Sequence, residues 1–155
     1  MKVYADTNFF TALYCPGPNE AEAQRLHAQW EQRGTMGYPI TMIGRMEFIN
    51  ALQQAVFFTL QGVPGIQINR EYAMAVEALY LENLAEGKTF RTAVVSERLL
   101  EQQFQNLVHR HTAKHGFRAY DILHVSTALA LGCDTFWSFD DKARKLAKLE
   151  GLRVN

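Results

Sequence analysis

Asp6, Glu47, Asp121 and Asp140 are four carboxylates spread over almost the whole chain, each at the mouth of an expected strand or on the first turns of an expected helix. Carboxylates drawn together from distant segments repel one another unless a cation shares them. The set therefore implies a divalent metal, and the metal implies hydrolytic chemistry. Each acid also has a local explanation. Asp6 and Asp140 can cap helices, a role worth about 1 kcal/mol, and Asp141 is the plainer cap of its helix. Glu47 sits among Met46, Phe48 and Ile49, where a partly buried carboxylate needs a cation or a donor. Asp121 heads the segment GFRAYDILHVSTALALG, which carries almost no charge after His124 and reads as a helix buried on most sides. His124 shares a face with Asp121 at i, i+3. It reads as a metal ligand or, preferably, as a histidine bonded to backbone or to an acid.

The elements that must position these residues alternate. KVYA is a short strand ending at Asp6, and Thr7-Asn8 opens a helix that breaks near Pro16-Gly17-Pro18. Asn19 caps a helix to about Gly34, YPIT is extended, and Gly44 to about Gln61 is helical with Met46, Ile49, Val56 and Leu60 among its apolar positions. A loop around Pro64-Gly65 leads to a helix capped by Asn69 and stopped by Gly87, with Ala73, Val76, Leu79 and Tyr80 facing inward. FRTAVVS favours a strand. A long helix capped by Ser96 runs to about His115, a second from Arg118 to Leu131, and the strand DTFWSF precedes a helix over Asp140–Leu149 and a last strand, LRV. Strands separated by helices too long for hairpins predict an α/β fold with a parallel sheet, whose ligands bind beyond the carboxyl ends of the strands.

At 155 residues and 48% apolar composition the chain is expected to form one domain, 1–155, with a real core. No apolar run approaches a membrane span and no secretory signal opens the sequence. Cys15 and Cys133 lack metal-type spacing, so free thiols and a cytoplasmic location are expected. The net charge of zero conceals a division: residues 1–87 carry five Lys/Arg against nine Asp/Glu, and residues 88–155 eleven against seven. His109, Arg110, His111, Lys114, His115 and Arg118 crowd together in the basic half. They suit phosphate contacts or a solvated helix face equally well.

YADTNFF, IGRMEFINAL and FRAYDILHVSTALALGCDTFWSFDDKARKLAKLEGLRV, in that order and spacing, resemble the PIN domain family, and within it the toxin-type (VapC-like) ribonucleases of toxin–antitoxin modules. Residues 60–95 carry little of this signal. The resemblance implies a three-layer α/β/α fold around a central, mainly parallel sheet of about five strands, with strand one at its centre. It implies that Asp6, Glu47, Asp121 and Asp140 bind Mg²⁺ or Mn²⁺, hard cations that prefer oxygen ligands, and hydrolyse RNA phosphodiester bonds with metal-activated water. Asn8, Ser138 and His124 would orient water or a carboxylate, although Ser138 reads equally well as a strand residue facing solvent. Charge clustering, rather than the resemblance, gives the expectation that Arg110, Lys114, Arg118, Lys142 and Lys145, with Arg144 and Lys148, line the cleft rim and hold the RNA backbone. A small antitoxin protein and a homodimer are the implied partners, with Phe9, Phe10, Tyr14 and Trp30 as surface candidates or, preferably, core.

Two other readings compete. A phosphatase of the aspartyl-phosphate kind would want a second Asp two residues after the first, where this chain has Asn8, and a receiver domain would want an acidic pair near its start. A PIN-like fold kept as a non-catalytic RNA- or protein-binding module also stands, against which the complete acidic set argues.

Overall fold

The computed structural model describes residues 1–33 and 36–155, so the expected helix end at Gly34 lies outside the described residues. The chain divides into two compact units, Met1–Asp6 with Val94–Asn155, and Thr7–Ala93. No described helix is long and apolar enough to cross a membrane.

The first unit holds a three-stranded parallel sheet in the order β1-β4-β5, from β1 (Val3–Ala5), β4 (Thr135–Trp137) and β5 (Arg153–Val154). Val3 pairs with Thr135 and Ala5 with Trp137. Helices α5 (Glu97–Leu107), α6 (Ala113–His115), α7 (Ala119–Ala130) and α8 (Asp141–Leu149) complete it. Tyr4, Phe136, Leu107, Phe117, Ile122, Val125 and Leu146 form its core. The amino end of the sheet is tied by Asp134, whose carboxylate accepts hydrogen bonds from the Lys2 N–H, the Thr135 hydroxyl and the Arg153 guanidinium. The Lys2 ammonium also donates to the carbonyl of Leu131, just past the end of α7.

The second unit holds a two-stranded parallel sheet, β2 (Tyr38–Ile40) with β3 (Phe90–Thr92), and the helices α1 (Thr7–Tyr14), α2 (Glu20–Gln32), α3 (Met42–Leu60) and α4 (Arg70–Glu86). Its core is aromatic: Phe10 meets Tyr38, Phe48, Tyr80 and Phe90 edge-on, and Trp30 stacks on Tyr38 with ring centroids 4.1 Å apart. Such ring pairs contribute about 0.5–1.5 kcal/mol beyond their buried area. Phe9, Phe10 and Trp30 are thus core, and Tyr14 is partly buried, its hydroxyl accepting from the Asn83 amide.

The five expected strands are present and parallel, but they form two separate sheets of three and two. Within its sheet β1 lies at an edge and β4 is central, because β4 pairs with both β1 and β5. The helix expected from Gly44 starts at Met42, since the Thr41 hydroxyl accepts the Gly44 N–H and makes Thr41 the cap. The strand expected over FRTAVVS stops at Thr92, and Val94 is 89% exposed. Leu79, expected inward, is 45% exposed. The long helix expected to His115 is interrupted: Val108–Thr112 is π-helical, and Gly116 ends the run at φ 64°. The Asn69 cap of α4 and its stop at Gly87, in the left-handed region, match the sequence reading.

Asp134 supplies a pH test. Burial opposes its ionisation, but hydrogen bonds from Thr135, Arg153 and the Lys2 N–H, with the Arg153 charge, hold its pKa down at about 2. An unfolded Asp titrates near about 3.9. The stability it contributes is therefore present above about pH 4 and lost as pH falls toward about 2. In thermal melts across that window, wild type should lose more stability than Asp134→Asn; parallel curves would contradict the assignment.

Candidate active site

Two of the four acids, Asp6 and Asp140, follow strands of the three-stranded sheet, as the sequence reading has them. Asp6 follows directly on β1, is 3% exposed, and donates its N–H to the Trp137 carbonyl at 3.0 Å, extending the β1–β4 ladder by one bond. Asp140 lies three residues beyond β4 and caps α8: its Oδ1 accepts the N–H groups of Lys142 and Ala143 at 2.7 and 3.1 Å. Adjacent strands are about 4.8 Å apart, so parallel pairing delivers Asp6 and Asp140 to neighbouring strand ends.

Asp121 is carried by α7. The end of α7 is pinned to the start of β1 through Lys2 and Leu131. Midway along, His124 Nδ1 hydrogen-bonds the Tyr4 hydroxyl at 2.8 Å, both residues being buried. The helix therefore runs against the strand direction, and Asp121, one turn before His124, lies nearer the level of the strand's carboxyl end. Its side chain is mostly buried (9% exposed), and Oδ2 accepts the Arg118 N–H at 2.9 Å.

Ser138 supports Asp140. It is fully buried, its hydroxyl accepts the Asp140 N–H at 2.9 Å, and its own N–H donates to the Asn155 side chain at 2.9 Å. Of the two roles open to Ser138 in the sequence, supporting group or solvent-facing strand residue, the solvent-facing one is excluded. Asn155 carries no sequence signal, and neither does Tyr4 as the partner of His124. A terminal asparagine and a strand tyrosine belong to no motif, and only tertiary placement reveals them.

Glu47 belongs to the other unit. It is partly buried on α3, where its Oε2 accepts the Thr7 hydroxyl at 2.6 Å. The donor that a half-buried Glu47 requires is therefore Thr7, which reads in the sequence only as a helix start. Asn8 is exposed in the first turn of α1.

Among the basic candidates, Arg110 is committed to Glu150 at 2.8 Å, and His111 bonds the same carboxylate. Lys114 and Lys145 both act on His115. Arg118 and Lys142 are exposed.

Among the described residues no three of His, Cys, Asp and Glu gather into a group that could hold a metal ion. Asp121 and Asp140 are turned toward backbone amides of their own helix starts. The donor set nevertheless suits a hard cation: carboxylate oxygens, two of them on largely buried side chains. Burying such charges without a counter-ion is costly.

Among solved structures the chain is similar to Mycobacterium tuberculosis VapC20, a sarcin-ricin loop cleaving toxin, with a TM-score of 0.63 and 20% identity over 92% of this chain and 93% of that one. The fold is PIN-like. No protein-family model matches the sequence. No curated protein matches it either. At 20% identity the likeness speaks for the PIN-like fold alone.

The capping geometry separates two roles of Asp140. Asp140→Ala removes the cap and should cost about 1 kcal/mol in chemical denaturation, whereas Asp140→Asn keeps a capping oxygen and should cost a few tenths. Equal losses in the two variants would show that the cap contributes little.

Proposed function

We propose that this protein is a divalent-metal-dependent endoribonuclease, the toxin of a toxin–antitoxin module. What supports the reading is a PIN-like fold in which Asp6 and Asp140 follow neighbouring parallel strands and the helix of Asp121 is bonded to the same sheet through His124 and Tyr4. Asp6 and Asp121 would hold Mg²⁺ or Mn²⁺, with Asp140 beside them. Glu47 joins the set on the sequence resemblance. When bound, the ion supplies Lewis acidity and lowers the pKa of water.

The chain's own residues do the positioning. Ser138 and Asn155 fix the backbone that carries Asp140. The Tyr4–His124 bond sets the height of α7 against β1, and with it the level of Asp121. His124 thus acts through Asp121, and Thr7 plays the corresponding part for Glu47. Nucleic-acid phosphates repel bare carboxylates, so the bond to be cleaved would settle among the acids only with the metal bound.

The resemblance extends to partners: a small antitoxin and a second copy of the chain. Met42, Met46, Phe57, Phe58 and Leu60 of α3 are exposed and offer apolar surface for them. A second reading is a PIN-like binding module without turnover. It is favoured by the lack, among the described residues, of a tight metal-holding group.

Cleavage decides between them. Purified protein is incubated with tRNAs and rRNA fragments, the sarcin-ricin loop included because VapC20 cleaves it. Reactions contain Mg²⁺, Mn²⁺ or EDTA. Cleavage should appear with metal, vanish in EDTA, and fall at least about a hundredfold in Asp6→Asn, Asp121→Asn and Glu47→Gln, as expected when a metal ligand is removed. Cleavage untouched by EDTA or by these substitutions would sink the reading.

A further inference from the structure

The outer face of α8 repeats its charges at helical spacing. Asp141, Arg144, Lys145 and Lys148, with Leu149, line a surface concavity of about 420 Å³. The helix begins at Asp140, and at about 1.5 Å per residue Lys148 lies about 12 Å along it from that acid. Beyond its far end, Glu150 ties α8 to the π-helical segment before α6, taking up both Arg110 and His111. That tie brings α6 alongside. The His115 imidazole is held below its ordinary pKa, first by lost hydration and then by the charges of Lys145, Lys114 and His111. Cations of α6 and α8 therefore converge on one surface.

The charges differ in what remains available. Arg110 is neutralised by Glu150, and Arg144 by Asp141. Lys114, Lys142, Lys145 and Lys148 form no ion pair among the described residues, and all four are exposed. Uncompensated ammonium groups on one face repel one another, and a polyanion laid across them relieves the repulsion while releasing its own counterions.

We propose that Lys114, His115, Lys145 and Lys148 form a docking strip for the phosphates of an RNA strand, running from the Asp140 end of α8 to α6 and gripping nucleotides remote from the cleaved bond. The proposal rests on the ribonuclease reading and adds where the substrate lies. Such a strip positions the strand without reading its bases, so it favours long RNA over short fragments whatever their sequence. It also narrows the basic candidates of the sequence, because Arg110 is occupied by Glu150.

The test uses the full chain and a fluorescently labelled hairpin RNA in EDTA, where metal-dependent cleavage is absent and binding alone is read. Anisotropy titrations at several salt concentrations compare wild type, Lys114→Glu/Lys145→Glu, and a matched reversal outside the strip, Lys88→Glu/Arg98→Glu. Lys114→Gln/Lys145→Gln serves as the second variant should the reversal perturb the thermal melt. The strip variants should bind about tenfold or more weakly, and their log K against log salt slope should flatten by about two, one for each phosphate no longer gripped. The matched control should remain close to wild type. Wild-type affinity and slope in the strip variants would overturn the proposal, as would equal losses in the control, or binding of polyglutamate in place of RNA. No cleavage by wild type in parallel reactions with Mg²⁺ or Mn²⁺, with the strip-dependent binding intact, would count against the ribonuclease reading instead and leave the docking strip supported.

Discussion

Parallel pairing of β1 with β4 is the constraint on which the first unit depends. Residues 3–5 and 135–137 lie at opposite ends of the chain, and only their ladder places Asp6 beside the loop that carries Asp140. Parallel strands require a crossover, and here the helices of residues 97–149 lie between the two pairing partners and β5. The same pairing seats Tyr4 beneath α7, where its hydroxyl meets His124 and sets Asp121 one turn higher. The ladder thus sets Asp6 and Asp140 after neighbouring strands, and the Tyr4–His124 bond holds the helix that carries Asp121 against the same sheet. Around them the unit closes with a conventional core, in which Phe136 and Tyr4 stack with ring centroids 5.8 Å apart.

This arrangement stores an electrostatic cost. Asp6 and Asp121 are both buried acidic side chains. Backbone amides satisfy part of the demand: the Arg118 N–H for Asp121, and the first turn of α8 for the less buried Asp140. Helix starts are suited to that work, because their free N–H groups carry partial positive charge. Amides can be exchanged for a cation when one binds. In the proposed account the caps are therefore not rivals of the metal site; they hold the acids ready for it. The basic strip on α6 and α8 complements the acids by supplying the charge that a polyanionic strand needs before it can approach them.

Much of this is legible from residues alone. Alternating strand and helix signals, the Asn69 cap, the Gly87 and Gly116 stops and the end of β1 are local, and local chemistry reads directly from sequence, whereas β4 ends at Trp137, two residues short of the expected DTFWSF. The positions of Asp6 and Asp140 just beyond β1 and β4 are likewise legible in the sequence. What escapes the sequence is tertiary. The order β1-β4-β5 depends on pairing between segments more than 100 residues apart, and no periodicity in three-residue strands encodes it. The π-helical turn at Val108–Thr112 interrupts a run that by propensity would continue as α-helix, and it coincides with the tie of His111 and Arg110 to Glu150 some 40 residues later. The supporting partners Tyr4, Asn155 and Thr7 are ordinary residue types whose roles exist only once the chain is folded. Val94 and Leu79 depart from expectation because β-branching and helical spacing say which residues suit an element, not which face of it is covered.

The central claim is that the acids act together as one cation site. Its most direct test is calorimetric titration of Mn²⁺ into wild type, Asp6→Asn and Asp121→Asn, each first shown to be folded by its thermal melt. The account predicts saturable binding in wild type that both single substitutions weaken by at least about tenfold, the loss typical for removing a metal ligand or its support. Binding of equal strength in all three proteins, or none in wild type, would contradict it.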